Sequence, residues 1–308
     1  MLTEPQRLTF SHRFTSLFLA AMIVCSGCAT IRKFNPLESK TLESRRLTQE
    51  AEAAMHENDL DHAESKLVSA IERDPTDSHA RAVLADVMWQ RNAPAAAIEQ
   101  MAKSLQLSGR RDPQQVTGLG QMLLVTGDNQ SALLRADEAI AVDPTLADAW
   151  TLKGFALKNQ GKPEAALSAF FRSLSIRNDD TQTRLEIAKI YQQTGQSQRA
   201  LSILGAPQAE SIEACPHHPN VCYLRGQLLR ELDRPDDAIV AFRDAKDAGY
   251  KNMEVYFALT ELQIDGGQLL QARATIKDAT AIMGAEQHPK LAELQQRVDA
   301  QTPGQFWR

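Results

Sequence analysis

An alanine recurs at Ala63, Ala97, Ala132, Ala166, Ala200, Ala238 and Ala272, at spacings of 34, 35, 34, 34, 38 and 34 residues. A fixed period near this length marks a stacked helical unit, because one unit cannot bury its apolar face alone and its neighbours must cover it. Other positions keep the same register. Twelve residues before each alanine stands a small residue, in order Ala51, Ala85, Gly120, Gly154, Ala188, Gly226 and Thr260, where two helices can cross closely. Five residues before it lies an expected turn, at Asn58, Asn92, Gly127, Gly161, Gly195, Asp233 and Gly267. Gly and Asn tolerate the left-handed conformation that closes a helix. Four residues after it comes an apolar residue, Leu67, Met101, Ala136, Phe170, Leu204, Phe242 or Ile276, which keeps the i, i+4 face toward the core. The pattern predicts seven helix pairs over residues 44–286 and a solubilising cap helix from His288 to Ala300, with Leu291, Leu294 and Val298 on one face, inside a terminal segment 287–308.

The chain has 308 residues with a net charge of −5, 43 % of them apolar and 24 % charged. That balance disfavours a basic nucleic-acid binder and argues against wholesale disorder. The longest apolar run, Phe14 to Val24, is interrupted by Thr15 and Ser16. It falls short of the roughly 18 to 20 residues of a spanning helix, which excludes a polytopic membrane protein. Residues 1–27 read instead as a secretory signal: Arg7, His12 and Arg13 form a weakly positive front, the apolar run follows, and Ser26 and Gly27 precede Cys28.

The offsets of small residue, central alanine, following apolar or aromatic residue and closing proline resemble those of the tetratricopeptide repeat family. Trp150, Gly154, Leu157, Ala166 and Phe170 make the fourth unit the closest match, and Pro75 and Pro144 close the first and third. The resemblance implies an all-α fold, a right-handed α-solenoid of about seven helix pairs. It also implies a concave groove, lined by the first helix of each unit, that holds a protein or peptide segment. The family's groove positions fall here on His79, Trp89, Gln121, Thr151, Phe155, Lys158, Asn159, Lys189, Tyr223, Arg230, Phe257 and Glu261. Rings at such positions bury much area at low entropic cost; Trp89 and Phe257 equally suit packing against a neighbouring unit. The Lys and Asn pair with which chaperone-binding members grip a C-terminal carboxylate has no counterpart, since the matching pairs include Thr151/Phe155, Leu185/Lys189 and Tyr223/Gln227.

Val24-Cys25-Ser26-Gly27-Cys28 resembles the lipobox of bacterial lipoproteins. This implies cleavage before Cys28 and lipidation there, and more than one acyl chain gives a stable anchor. Ala29, where such proteins carry Asp for inner-membrane retention, implies the periplasmic face of the outer membrane. Residues 28–43 are polar and read as a tether.

The fifth unit breaks the pattern. Pro207 ends its second helix early, and the extra residues of the 38-residue spacing gather in Ala206 to Pro219. There Cys215-Pro216-His217-His218-Pro219-Asn220-Val221-Cys222 leaves three readings open. They are a Cys215–Cys222 disulfide in an oxidising compartment, a metal site with His217 or His218, and thiols with Cys222 buried at a helix start. No His-Glu-x-x-His or Gly-x-Ser-x-Gly occurs, and Gly161-Lys162 runs into Pro163 rather than Ser or Thr. The expectation is therefore a non-enzyme without cofactor. Phe306-Trp307-Arg308 either packs on the cap helix or offers a contact motif. The expected function is a lipid-anchored interaction scaffold resembling the assembly lipoproteins of tight-adherence (Flp) and type IV pili. Two alternatives stand beside it, an adaptor for peptidoglycan enzymes and a metal-dependent site in the Cys215 to Cys222 loop.

Overall fold

Acidic and prolyl residues set where the helices begin. Asp59, Asp77, Asp128 and Asp180 each accept a backbone N–H from the first turn they precede, which satisfies a donor that has no partner inside the helix. Pro94, Pro163, Pro219, Pro235 and Pro289 instead open helices at the first positions, where the missing N–H costs nothing. A computed structural model describes residues 36–109, 111–205, 218–250, 252–283 and 288–301. Among them are fifteen helices and no strand.

Fourteen helices form seven pairs: α1 (Pro36–His56) with α2 (Leu60–Arg73), α3 (Ser78–Gln90) with α4 (Pro94–Ser108), α5 (Pro113–Val125) with α6 (Asn129–Val142), and α7 (Ala147–Asn159) with α8 (Pro163–Ile176). They continue as α9 (Thr181–Gln193) with α10 (Ser197–Leu204), α11 (Pro219–Glu231) with α12 (Pro235–Asp247), and α13 (Glu254–Asp265) with α14 (Leu269–Met283). The last helix, α15 (Pro289–Ala300), stands alone as the expected cap.

Each expected turn inside a pair is left-handed. Asn58, Asn92 and Asp233 have φ of 61°, 59° and 55°, and Gly127, Gly161, Gly195 and Gly267 have φ between 68° and 89°. All seven marker alanines have 0 % exposure. The small residue facing them admits its partner helix at close range. A Cβ on Gly154 would lie 2.5 Å from the Phe170 ring, and one on Gly226 would lie 2.7 Å from the ring of Phe242. The apolar position after the alanine is buried in six units; Leu204 is the exception, half-buried at the end of the eight-residue α10.

The described residues divide into two compact bodies, one up to residue 115 and one from residue 116. In the first, Leu47, Ala51, Leu67, Leu84 and Val87 form the core of α1 to α3. Thr41 Oγ1 donates to Asp74 at 3.1 Å and Ser44 Oγ to Asp77 at 2.7 Å, tying α1 to the turn between α2 and α3. Because α1 begins at Pro36, the second half of the stretch expected as a tether is helix. In the second body the core runs from Leu152, Phe170 and Ile187 through Leu228 and Phe242 to Leu294 of α15. No helix among the described residues is long and apolar enough to cross a membrane.

Candidate interaction surface

The first helix of each pair carries the expected groove residues, and their neighbours decide what each can do. In the first body, His79 Nε2 lies 3.0 Å from Glu52 Oε1. Both border a polar cavity of about 470 Å³ that Arg45, Thr48, Asp74 and Thr76 also line. Hydrogen bonds from the Thr76 hydroxyl and amide hold Asp74 below the usual carboxylate range. Trp89 is half-buried near the end of α3.

In the second body Gln121 is exposed on α5. On α7, Thr151 Oγ1 lies 2.8 Å from Ser173 Oγ, and the ring of Phe155 meets Phe170 edge-on at 5.3 Å, so both brace the pair α7–α8 while remaining half-exposed. Asn159 turns toward the start of α6, where its amide donates to Asn129 at 3.0 Å. Lys158 and, from the next unit, Lys189 converge on Glu186. Their ammonium groups lie 2.6 and 2.8 Å from its two carboxylate oxygens. Burial pushes Glu186 up, but the hydrogen bonds and positive charges of the two lysines together outweigh it and hold the carboxylate below its usual value. Glu186 was no expected site residue. Its signal was local: an acid three residues before Lys189 on the same helix.

On α11, Tyr223 stacks on Tyr250 at 4.6 Å and touches Phe242 at 5.8 Å, and burial raises its hydroxyl. Arg230 is exposed in the last turn of that helix. The last unit differs. Phe257 is 5 % exposed and meets His288 at 4.9 Å, and Glu261 pairs with Lys290 of α15 at 2.6 Å. Of the two readings left open for Phe257, packing is the one seen, against the residue before α15, whereas Glu261 stays partly exposed beside Lys290. A first helix at the end of an array has no following unit, so the cap supplies the missing apolar cover.

Cys222 is buried in the first turn of α11. Cys215, His217, Cys28 with its lipobox, and Phe306 to Arg308 lie outside the described residues. Among the described residues no three His, Cys, Asp or Glu side chains are grouped to hold a metal ion.

Two family models, both described as tetratricopeptide repeat, match residues 48–116 and 136–168. The chain carries tetratricopeptide repeats. The fold likeness agrees. A tetratricopeptide repeat protein of Parabacteroides merdae ATCC 43184 superposes with a TM-score of 0.60 at 14 % identity, over 84 % of this chain and 99 % of that one. Pseudomonas aeruginosa PilF gives 0.59 at 19 %, over 74 % and 99 %. PilW, a widely conserved type IV pilus biogenesis factor, gives 0.58 at 20 %, over 71 % and 97 %. Among curated proteins, human anaphase-promoting complex subunit 7 is 23 % identical over 167 residues. That stretch is 54 % of this tetratricopeptide-repeat chain and 29 % of the human protein, so the chain spans under a third of that relative's length.

Proposed function

We propose that this protein is a non-catalytic interaction scaffold, held by lipid on Cys28 at the periplasmic face of the outer membrane, that assists assembly of a pilus or secretion complex. The observation that carries the scaffold reading is a run of first helices whose outward side chains, Gln121, Lys158, Lys189 and Arg230, are polar and at least partly open to solvent. Their backbones meanwhile are locked by fully buried alanines. Rigid presentation of an open face is what such arrays use to bind, and function lies in that surface rather than in the fold. The pilus reading is supported by fold likeness to PilW and PilF. The anchor reading is supported by the lipobox at Val24 to Cys28. A tethered scaffold raises the local concentration of its subunits near an outer-membrane pore.

The test is affinity purification from envelope membranes, with a Cys28→Ser variant beside the native protein. Mass spectrometry then reads the partners and the mature N-terminus. A lipidated Cys28 with an enriched pilin or secretin, lost in the variant, is the expected result. Enriched peptidoglycan hydrolases would move the assignment to a cell-wall adaptor. An unmodified N-terminus in the soluble fraction would overturn the anchored mechanism.

A further inference from the structure

We infer that the face formed by α7 and α9 takes an acidic segment of a protein partner, with the partner's carboxylates seated on Lys158 and Lys189. This rests on the reading of the first-helix face as the interaction surface, and it names the partner's chemistry. The two lysines come from neighbouring units and approach opposite oxygens of one carboxylate, at 2.6 and 2.8 Å. Their exposures differ sharply from that of the acid. The Glu186 side chain is 4 % exposed, whereas those of Lys158 and Lys189 are 31 % and 44 % exposed. The negative charge is therefore sunk beneath two positive ones that still face solvent. Two ammonium groups against one carboxylate leave an excess positive charge. Each ammonium has three donors, and Glu186 occupies one of each.

Glu186 also orders the lysines. Held by a buried acceptor, they have already lost part of the rotamer freedom that a binding partner would otherwise have to remove. Gln182 Nε2 supports the same carboxylate at 3.4 Å. Lys158 lies 5.1 Å from the centroid of the half-buried Phe155 ring, which sets an apolar footing beside the cation. Two other acids, one on α7 and one on α11, have partners of their own. Asp148 of α7 pairs with Arg177 at 2.7 Å, and Glu231 of α11 accepts from Gln192 and Ser197. Arg230 adds a further exposed cation on α11. An extended segment carrying Glu or Asp beside an apolar side chain matches this arrangement in charge and in footing.

The test uses the full chain and a fluorescent peptide blocked at both ends, alternating Glu with Leu, beside the same peptide with Gln for Glu. Anisotropy titrations should show the Glu peptide binding about tenfold tighter or better at low salt, the gap narrowing at high salt as charges are screened. Lys158→Gln with Lys189→Gln should erase the preference, and Lys158→Arg with Lys189→Arg, which keeps both charges, should retain it. Circular dichroism checks that each variant folds. If the double glutamine variant does not fold, Lys189→Gln alone should still cut the preference about threefold, since one of the two cations remains. Equal binding of the two peptides by the native protein, or a folded double glutamine variant that still discriminates, would overturn the inference. Partner recovery from membranes is read separately. A native chain that captures partners yet ignores the Glu peptide overturns this inference and leaves the scaffold reading standing.

Discussion

Gly154 and Gly118 are both helical glycines, and their surroundings give a substitution by alanine opposite signs. Alanine is favoured over glycine in a helix interior by about 1 kcal/mol. At Gly118 a Cβ meets nothing within 4 Å, so Gly118→Ala should stabilise the protein by about 0.5–1 kcal/mol. At Gly154 the added carbon would sit 2.5 Å from two carbons of the Phe170 ring. That ring is fully buried and wedged edge-on against Phe155, so it cannot swing aside. Overpacking of this kind costs about 1–3 kcal/mol, which outweighs the propensity gain. Urea midpoints should therefore rise for Gly118→Ala and fall for Gly154→Ala. Asp233 is exposed with a φ of 55°, a conformation that carries a Cβ penalty. Asp233→Gly should leave stability equal or higher, and Asp233→Ala should lower it by about 1 kcal/mol, read from the same titrations. These outcomes follow from positions legible in the chain, because the period marks which residues must be small and which must turn. The clash distances themselves required the neighbouring helix.

Among the second helices α10 is the weak one. It has eight residues where α8 has fourteen, and Ala200 is its one buried residue. Few buried contacts mean a low cost of local opening. Amide exchange in 197–204 should run about tenfold or more faster than in 163–176, read by hydrogen-exchange mass spectrometry. Pro207 had announced this early stop. A second prediction concerns Asp180, which caps α9, and Glu186 within it, two partly or fully buried carboxylates both held below their ordinary values. Asp180 is opposed by burial but lowered by hydrogen bonds from Thr183 and Arg177, and Glu186 is opposed by burial but lowered by Lys158 and Lys189. A depressed folded value stabilises above the unfolded one and loses that contribution as pH falls through the folded value. The unfolded values are near 3.8 for Asp180 and 4.5 for Glu186. Thermal midpoints should therefore hold above pH 5 and fall below pH 4 or so. An Asp180→Asn, Glu186→Gln variant should show a flatter acid limb. A native midpoint indifferent to acid would contradict the Lys158–Glu186–Lys189 arrangement.

At the scale of the molecule, an array of repeats ends where no further unit can cover the last apolar face. Here α15 does so with Leu291, Leu294 and Val298 buried, and with Lys290 and Arg297 paired to Glu261 and Asp265. Each such apolar side chain contributes about 1.5–3 kcal/mol when fully buried. Deleting residues 287–308 should therefore lower the melting temperature by on the order of 5 °C or more. It should also expose Phe257 and promote concentration-dependent association, seen by calorimetry and sedimentation.

The sequence by itself determined the all-α class, the seven pairs, the turns and the cap. A repeated volume requirement at each helix crossing writes the same small residues, alanines and turn formers into every unit. Tertiary structure decided which residues on the first-helix face are available. Helical periodicity assigns a residue to a face, but not what lies over that face. Phe257 and Glu261 share their register with open positions elsewhere, yet Phe257 packs against the residue before α15 and Glu261 pairs with Lys290. Lys158 and Lys189 stand 31 positions apart in the chain, and only the stacking of two units brings them onto the one buried carboxylate of Glu186.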